Sequence, residues 1–214
     1  MKLYVYDHCP YCVKARMVFP LKKVPFQLIT LLNDDEKTPT SMIGKKMVPI
    51  LEIEPGRFMP ESMDIVAFID ENFSQKMILK KEDPELLNIL NTSKKPYYSL
   101  CFPRWVNSNM EEFKTPSARQ YFKDKKEKMI GDFSSALKNT DYFKKEIMKN
   151  LLKIEDKINP EGSWYLGDNI SFNDFHLFAF LRNLTIVEKI CFPPLLGIYM
   201  NNCSKIIKVP LLNK

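Results

Sequence analysis

The sequence predicts an α/β domain followed by an all-α domain, and three observations lead there. Within about the first 75 residues, strand-like runs and helix-like spacing alternate in the order β-α-β and then β-β-α. Beyond the charged, proline-marked stretch Lys80-Lys81-Glu82-Asp83-Pro84, strand signals nearly vanish and apolar residues recur at helical spacing. A pair of cysteines, Cys9-Pro10-Tyr11-Cys12, stands at the first strand-to-helix turn. The expected division is residues 1–74 for the α/β domain, 75–83 for a linker and 84–214 for the helical domain.

Each element has a local reason. Met1-Lys2-Leu3-Tyr4-Val5-Tyr6 alternates and is β-branched and aromatic, so it reads as a short strand. Val13 to Phe19 has helical apolar spacing, and Pro20 is expected to bend or end that helix. Phe26 to Leu32 reads as a second strand, apolar enough to be buried in a parallel pair, which implies a right-handed crossover. Thr38-Pro39 has the form of a cap before a short helix that stops at Gly44. Met47 to Ile53 is a third strand with Pro49 near its start, and Pro55-Gly56 turns it into a short fourth strand, Arg57-Phe58-Met59. Ser62 is expected to cap a helix running from Met63 to about Phe73.

In the second half, Leu86, Leu87 and Leu90 open a helix, and Pro96 and Pro103 are expected to interrupt the region up to Trp105. Thr115-Pro116 starts a helix expected to reach about Lys138. Ile147, Leu151, Ile154 and Ile158 mark one helix face, ended by Asn159-Pro160-Glu161-Gly162. Ser171-Phe172-Asn173-Asp174 has the form of a capping box, with Ile170 and Phe175 as its hydrophobic staple. The helix that follows is apolar around most of its circumference and is expected to be the buried centre of the second domain. His176 within it reads as a core or boundary histidine without an acidic neighbour in sequence, and Cys101, Cys191 and Cys203 read as small buried hydrophobes.

Composition narrows the function. Of 214 residues, 45% are hydrophobic and 27% charged, the make-up of an ordinary globular chain. The net charge of +6 is spread among acids, as in Lys123-Asp124-Lys125-Lys126-Glu127-Lys128, so a solvated helix face is expected and not a nucleic-acid surface. No stretch approaches a membrane span, and none has the form of a cleaved leader. Five cysteines at low density suit a reducing cytoplasm better than a disulfide-stapled secreted scaffold.

The chemistry converges on the two clustered thiols. Pro10 suits the first position of a helix, where its missing N–H costs nothing. Cys9 then falls at the N-cap, where unpaired amides and the helix dipole favour a thiolate. Cys12 lies one turn further on the same face, placed to attack an oxidised Cys9. A CxxC after a strand in a βα pattern reads as a thioredoxin-like redox motif. Half a zinc site is a weaker reading: zinc takes four ligands, and neither the other cysteines nor His8 and His176 have the spacing to complete it, so no metal is expected. A structural cysteine pair is the remaining alternative.

These residues resemble a glutaredoxin, and in particular the glutaredoxin 2 family, over nearly the whole chain. The resemblance is carried by Asp7-His8-Cys9-Pro10-Tyr11-Cys12, Leu31-Leu32-Asn33-Asp34-Asp35, Val48-Pro49-Ile50-Leu51 and Met59-Pro60-Glu61-Ser62-Met63-Asp64-Ile65. Pro103-Arg104, Arg119, Tyr121-Phe122, Asp124-Lys125-Lys126 and Leu181-Arg182-Asn183-Leu184-Thr185 extend it. It implies a thioredoxin-like domain joined to a helical domain of glutathione-transferase type. The tetrad Cys-Pro-Tyr-Cys is typical of glutaredoxins, whereas thioredoxins carry Gly-Pro between their cysteines. Pro20 departs from the family, which usually has a small residue there.

The resemblance also implies glutathione as co-substrate. Val48-Pro49 resembles the Val-cis-Pro element that would present the Val48 backbone to the tripeptide. Glu61-Ser62 resembles the acid–serine pair that receives the γ-glutamyl ammonium and carboxylate. Lys37 and Lys46, with Lys45, are candidates for the glycyl carboxylate, and Tyr11 can cover the ligand. The implied enzyme is a cytoplasmic, monomeric glutathione-dependent oxidoreductase. It would act on glutathionylated or disulfide-bonded proteins through Cys9, with Cys12 resolving, and would have no nucleic-acid or membrane partner. Two rivals stand beside it: a cysteine-type glutathione transferase acting on small electrophiles, and a non-enzymatic thiol- or cluster-binding module.

Overall fold

The computed structural model describes residues 1–212, so the last two residues of the expected helical domain lie outside the described residues. The chain forms two compact units. The first is Met1–Lys76 together with Val106–Lys125; the second is Met77–Trp105 together with the described residues from Lys126 onward.

The first unit is built on a mixed four-stranded sheet. β1 (Lys2–Val5) leads into α1 (Pro10–Lys22), β2 (Gln27–Thr30), α2 (Lys37–Ile43), β3 (Ile50–Glu54), β4 (Arg57–Pro60) and α3 (Ser62–Asn72). The strand order is β2-β1-β3-β4, with β1 and β2 parallel and the other pairs antiparallel. Leu3, Val5, Ile50 and Leu51 are buried in the two central strands. α1 packs against α3, contributing Val13, Met17 and Phe19 opposite Ile65, Val66 and Ile69, all buried. Lys22 and Asp70 join the two helices through a buried ion pair at 2.9 Å.

Several expectations are corrected here. β2 pairs in parallel as expected but is an edge strand, so Gln27 and Leu28 are exposed. Apolar composition cannot distinguish an edge from a centre, because strand order is a long-range property. Pro20 neither ends nor breaks α1, which runs two residues further and closes on Lys23 in the left-handed region. So close to the C-terminus, the proline forfeits one hydrogen bond near the helix end. Glu36, not Thr38, caps α2, while Asp35 accepts from the Thr38 N–H at 2.9 Å. Glu61, not Ser62, is the N-cap of α3, and Ser62 is its first helical residue.

The remaining elements are α4 (Pro84–Thr92), α5 (Lys94–Val106), a single 3₁₀ turn (Glu111–Phe113), α6 (Pro116–Ile130), α7 (Phe133–Lys138), α8 (Thr140–Glu155), α9 (Phe172–Leu184) and α10 (Pro194–Ile207). Within the second unit α9 packs on α4 and α10, and α8 on the same two helices. α9 is buried almost all round, as its sequence requires. Its capping box is formed: the Ser171 N–H donates to Asp174 Oδ2 at 2.8 Å.

Pro96 and Pro103 do not interrupt α5. Pro96 falls in its first turn, where no intrahelical donor is lost, and Pro103 lies within three residues of its end. The helix from Pro116 stops at Ile130, because Gly131 takes φ 84° and Asp132 starts α7 by accepting from Ser135 N. Cys101 and Cys203 are buried, but Cys191 is exposed in the irregular segment before α10. His176 does have an acidic partner, Glu82 at 2.9 Å, invisible in sequence at a separation of 94 residues.

Candidate active site

The sheet brings the expected site residues to one end. The Tyr4, Ile50 and Pro60 backbones are paired in one row across β1, β3 and β4. From that row β1 runs on toward Cys9, β3 begins just after Val48-Pro49, and β4 leads directly into Glu61-Ser62. β2, parallel to β1, ends on the same side and delivers Asn33 and the start of α2.

Cys9 is the N-cap of α1, with extended backbone (φ −74°, ψ 119°) and Pro10 behind it at the first helical position. The Cys9 N–H donates to Tyr6 O at 3.3 Å, and Cys9 O accepts from Val13 N at 3.0 Å. Cys9 is of intermediate exposure as a residue, whereas Cys12 is wholly buried; both are free thiols. Cys12 Sγ accepts from the Tyr6 N–H at 3.4 Å.

The two thiols are driven apart in acidity. Cys9 is lowered to about 7, first by a hydrogen bond from the Cys12 thiol, with burial opposing, and then by His8 and the amides of Cys12 and Tyr11. The sulfur makes no N-cap hydrogen bond of normal geometry, so those amides act as oriented dipoles. Cys12 is pushed well above the ordinary thiol range by burial, and further by the charge developing on Cys9. The shifts thus favour the thiolate on Cys9 and the protonated thiol on Cys12.

The other expected residues surround this pair to different degrees. Tyr11 is 51% exposed, with the Lys14 ammonium 5.0 Å from its ring centre. The Val48–Pro49 peptide is cis, and Val48 is buried. Glu61 has φ 71°, a strained conformation for a residue with a Cβ, and its carboxylate lies 3.7 Å from Lys45 Nζ. Ser62 is buried at the start of α3. Lys37, the first residue of α2, is exposed. Lys46 is half-buried, donates to Asn33 O and lies 3.6 Å from the centre of the Tyr121 ring. Burial, and then the charge of Lys125, lower its pKa to about 8.

Some pairings at this end of the first unit have no signal in the sequence. His8 Nδ1 lies 2.7 Å from Glu112 Oε1, and the His8 ring packs on Tyr6, Phe113 and Phe122. Glu36, Tyr121 and Lys125 form a second cluster beside Lys46. Sequence separations of 104 and 85 residues hide both groups; only the Glu111-Glu112-Phe113 triplet, an acid beside an aromatic, is unusual on its face. Among the described residues, no cluster of three or more His, Cys, Asp or Glu is arranged to hold a metal. Among the described residues, no helix is long and apolar enough to cross a membrane.

Comparison with known proteins agrees with this architecture. Residues 85–214 match the family "Glutaredoxin 2, C terminal domain", and residues 3–77 match "Glutathione S-transferase, N-terminal domain". Glutaredoxin 2 of Escherichia coli (strain K12) is 42% identical over 213 residues, covering 100% of this chain and 98% of that one. The crystal structure of glutaredoxin 2 from Salmonella typhimurium in complex with glutathione superposes with a TM-score of 0.92 at 42% identity, covering 99% of this chain and 96% of that one. Glutathione transferase Omega 3C from Trametes versicolor shares the fold, with a TM-score of 0.59 at 19% identity over 100% of this chain and 85% of that one. With both halves matched and identity sustained along its whole length, the chain belongs to the glutaredoxin 2 family, whose members are glutathione–disulfide oxidoreductases.

Proposed function

We propose that the protein reduces protein–glutathione mixed disulfides and protein disulfides with glutathione, through a Cys9 thiolate that Cys12 can resolve. The observation that carries this reading is the contrast between the thiols: a Cys9 of intermediate exposure lowered to about 7 beside a buried Cys12 raised well above the thiol range.

In the one-thiol route, Cys9 S⁻ attacks the glutathionyl sulfur of a mixed disulfide. The S–S bond between the protein sulfur and the glutathionyl sulfur breaks, and the protein thiolate leaves and takes a proton from solvent. A glutathione thiolate then attacks the glutathionyl sulfur on Cys9, which releases glutathione disulfide and restores the Cys9 thiolate. In the two-thiol route, Cys12 loses its proton and attacks the Cys9 sulfur of a mixed disulfide, expelling the bound thiol. The resulting Cys9–Cys12 bridge is reduced by two glutathiones. Burial makes Cys12 a slow attacker until its proton is removed, which favours the first route for small glutathionyl substrates.

The glutathione site proposed for this chain is the end of the sheet described above. The register supports the Val48-Pro49 backbone as an edge for the cysteinyl unit, and the start of α3 supports Ser62 and Glu61 as partners of the γ-glutamyl group. Lys46 or Lys37 would hold the glycyl carboxylate, and exposed Tyr11 would cover the ligand. The proposed domain division is 1–74, 75–83 and 84–214, supported by family matches that meet between residues 77 and 85. A monomer in a reducing cytoplasm, with oxidised or glutathionylated proteins as substrates, completes the reading.

Turnover of a glutathionylated disulfide by the parent, Cys9→Ser and Cys12→Ser proteins tests it. Cys9→Ser abolishes turnover; Cys12→Ser retains it on glutathionyl substrates. Equal, complete loss in both variants would contradict the division of roles.

A further inference from the structure

Glu112 is fully buried, and the backbone N–H and the ring Nδ1 of His8 reach the same oxygen of its carboxyl group. Oε1 accepts from the His8 backbone N–H at 2.9 Å and faces Nδ1 at 2.7 Å. Oε2 is buried and, among the described residues, has no hydrogen-bond partner. A staple between the 3₁₀ turn and the end of β1 needs only the first oxygen. The second is a buried acceptor without a donor, a costly arrangement that points to a use beyond the staple.

The position of His8 indicates that use. It immediately precedes Cys9, and its ring is held between Tyr6 at 5.6 Å and Phe113 at 5.0 Å, with the Phe122 edge at 5.2 Å. The Nδ1 contact makes that nitrogen the donor and leaves the ring one orientation. We propose that Glu112 is a positioning residue for the redox centre: through Nδ1 it holds the His8 imidazole in one orientation beside Cys9, so that the negative charge of the dithiol rests on Cys9. Electrostatic influence runs in the same sense, with His8 lowering Cys9 and Glu112 raising Cys12.

The other titratable groups near this centre do not supply the asymmetry. The Tyr6 phenol is pushed up by burial, then by Cys12, Cys9, Tyr121 and Asp35, and so stays neutral. Asp7 is engaged by Arg16, and Glu111 pairs with Lys114 on the exposed side of the turn.

The inference rests on Cys9 being the nucleophile. It is tested in the full chain, in a Cys191→Ser background that removes the exposed thiol. Cys9 alkylation by iodoacetamide is followed against pH, with the modified peptide identified by mass. Glu112→Gln keeps one acceptor oxygen and removes the charge. Its alkylation midpoint is expected to rise from about 7 by about one pH unit or more, with several-fold slower alkylation at neutral pH. His8→Asn, which keeps the backbone donor, is expected to shift the midpoint in the same direction, and it decides the matter if Glu112→Gln does not fold. An unchanged midpoint in a folded variant, even one with a lower unfolding temperature, overturns the proposal and leaves Glu112 a structural staple. Turnover of Cys9→Ser separates the two readings. Retained turnover removes the nucleophile assignment, whereas lost turnover with an unmoved midpoint removes only the role of Glu112.

Discussion

At the scale of single residues, binding and reactivity are separable at this site. Ser62 begins α3, and a hydroxyl and an N–H at a helix start suit a carboxylate. A charge-assisted hydrogen bond is worth about 1.5–3 kcal/mol when lost, or roughly one to two decades in affinity. Ser62→Ala is therefore expected to weaken glutathione binding to a Cys9→Ser protein by that factor in calorimetric titration. Cys9 alkylation by a neutral reagent should be unaffected; equal affinity in parent and variant would move the γ-glutamyl site elsewhere. Lys46 supports a pH prediction. A lysine lowered to about 8 is charged below that pH and loses its charge as pH rises through it. If it holds the glycyl carboxylate, S-methylglutathione binds best below about pH 8 and more weakly above, and Lys46→Gln abolishes this dependence. Persistence of the pH limb in Lys46→Gln, with loss of affinity in Lys37→Gln, would assign the contact to Lys37 instead.

At the scale of the element, helix ends decide both chemistry and stability. α1 starts with a thiol at its N-cap and α9 with a serine. Asp174 is the centre of the second cap. Its carboxylate accepts from Ser171 N at 2.8 Å, Tyr165 N at 2.7 Å and the Tyr199 hydroxyl at 3.1 Å. Burial raises its pKa despite these donors. Loss of an N-cap side chain costs about 0.5–2 kcal/mol. Ser171→Ala should lower the urea midpoint accordingly and leave turnover of the folded protein unchanged. Asp174→Ala should cost more, since each buried donor left without an acceptor adds about 1–3 kcal/mol. A large activity loss in Ser171→Ala without destabilisation would contradict a purely structural role.

At the scale of the whole chain, the first compact unit is discontinuous in sequence. Its segment Val106–Lys125 supplies Glu112, Phe113 and Phe122, and these close around His8. Asn33 N also donates to Glu112 O at 2.9 Å, tying the end of β2 to the same turn. A chain ending at Lys76 would expose the His8 ring and lose the Asn33 and His8 partners. Such a chain is expected to show a weak or absent cooperative urea transition by circular dichroism and a Cys9 alkylation midpoint displaced from that of the full chain. A fully cooperative transition with an unshifted midpoint would show that the segment is dispensable to the redox centre.

What the sequence determined alone follows from interactions spanning a few positions. The strand and helix periods, the N-cap Cys9 with Pro10 behind it, the stop at Gly44 and the capping box of α9 all depend on near neighbours, so they could be read directly. The motif also identified the pair of thiols, because a helix N-terminus acts within one turn. Other features were decided only in three dimensions. β2 became an edge strand through strand order, and Cys191 became exposed through the path of the chain before α10. His8 met Glu112, Lys22 met Asp70 and Lys46 met Tyr121 across long separations in the chain. A charge or a ring has no local signature of the partner it will meet, and burial, which makes such meetings energetically consequential, exists only once the chain has folded.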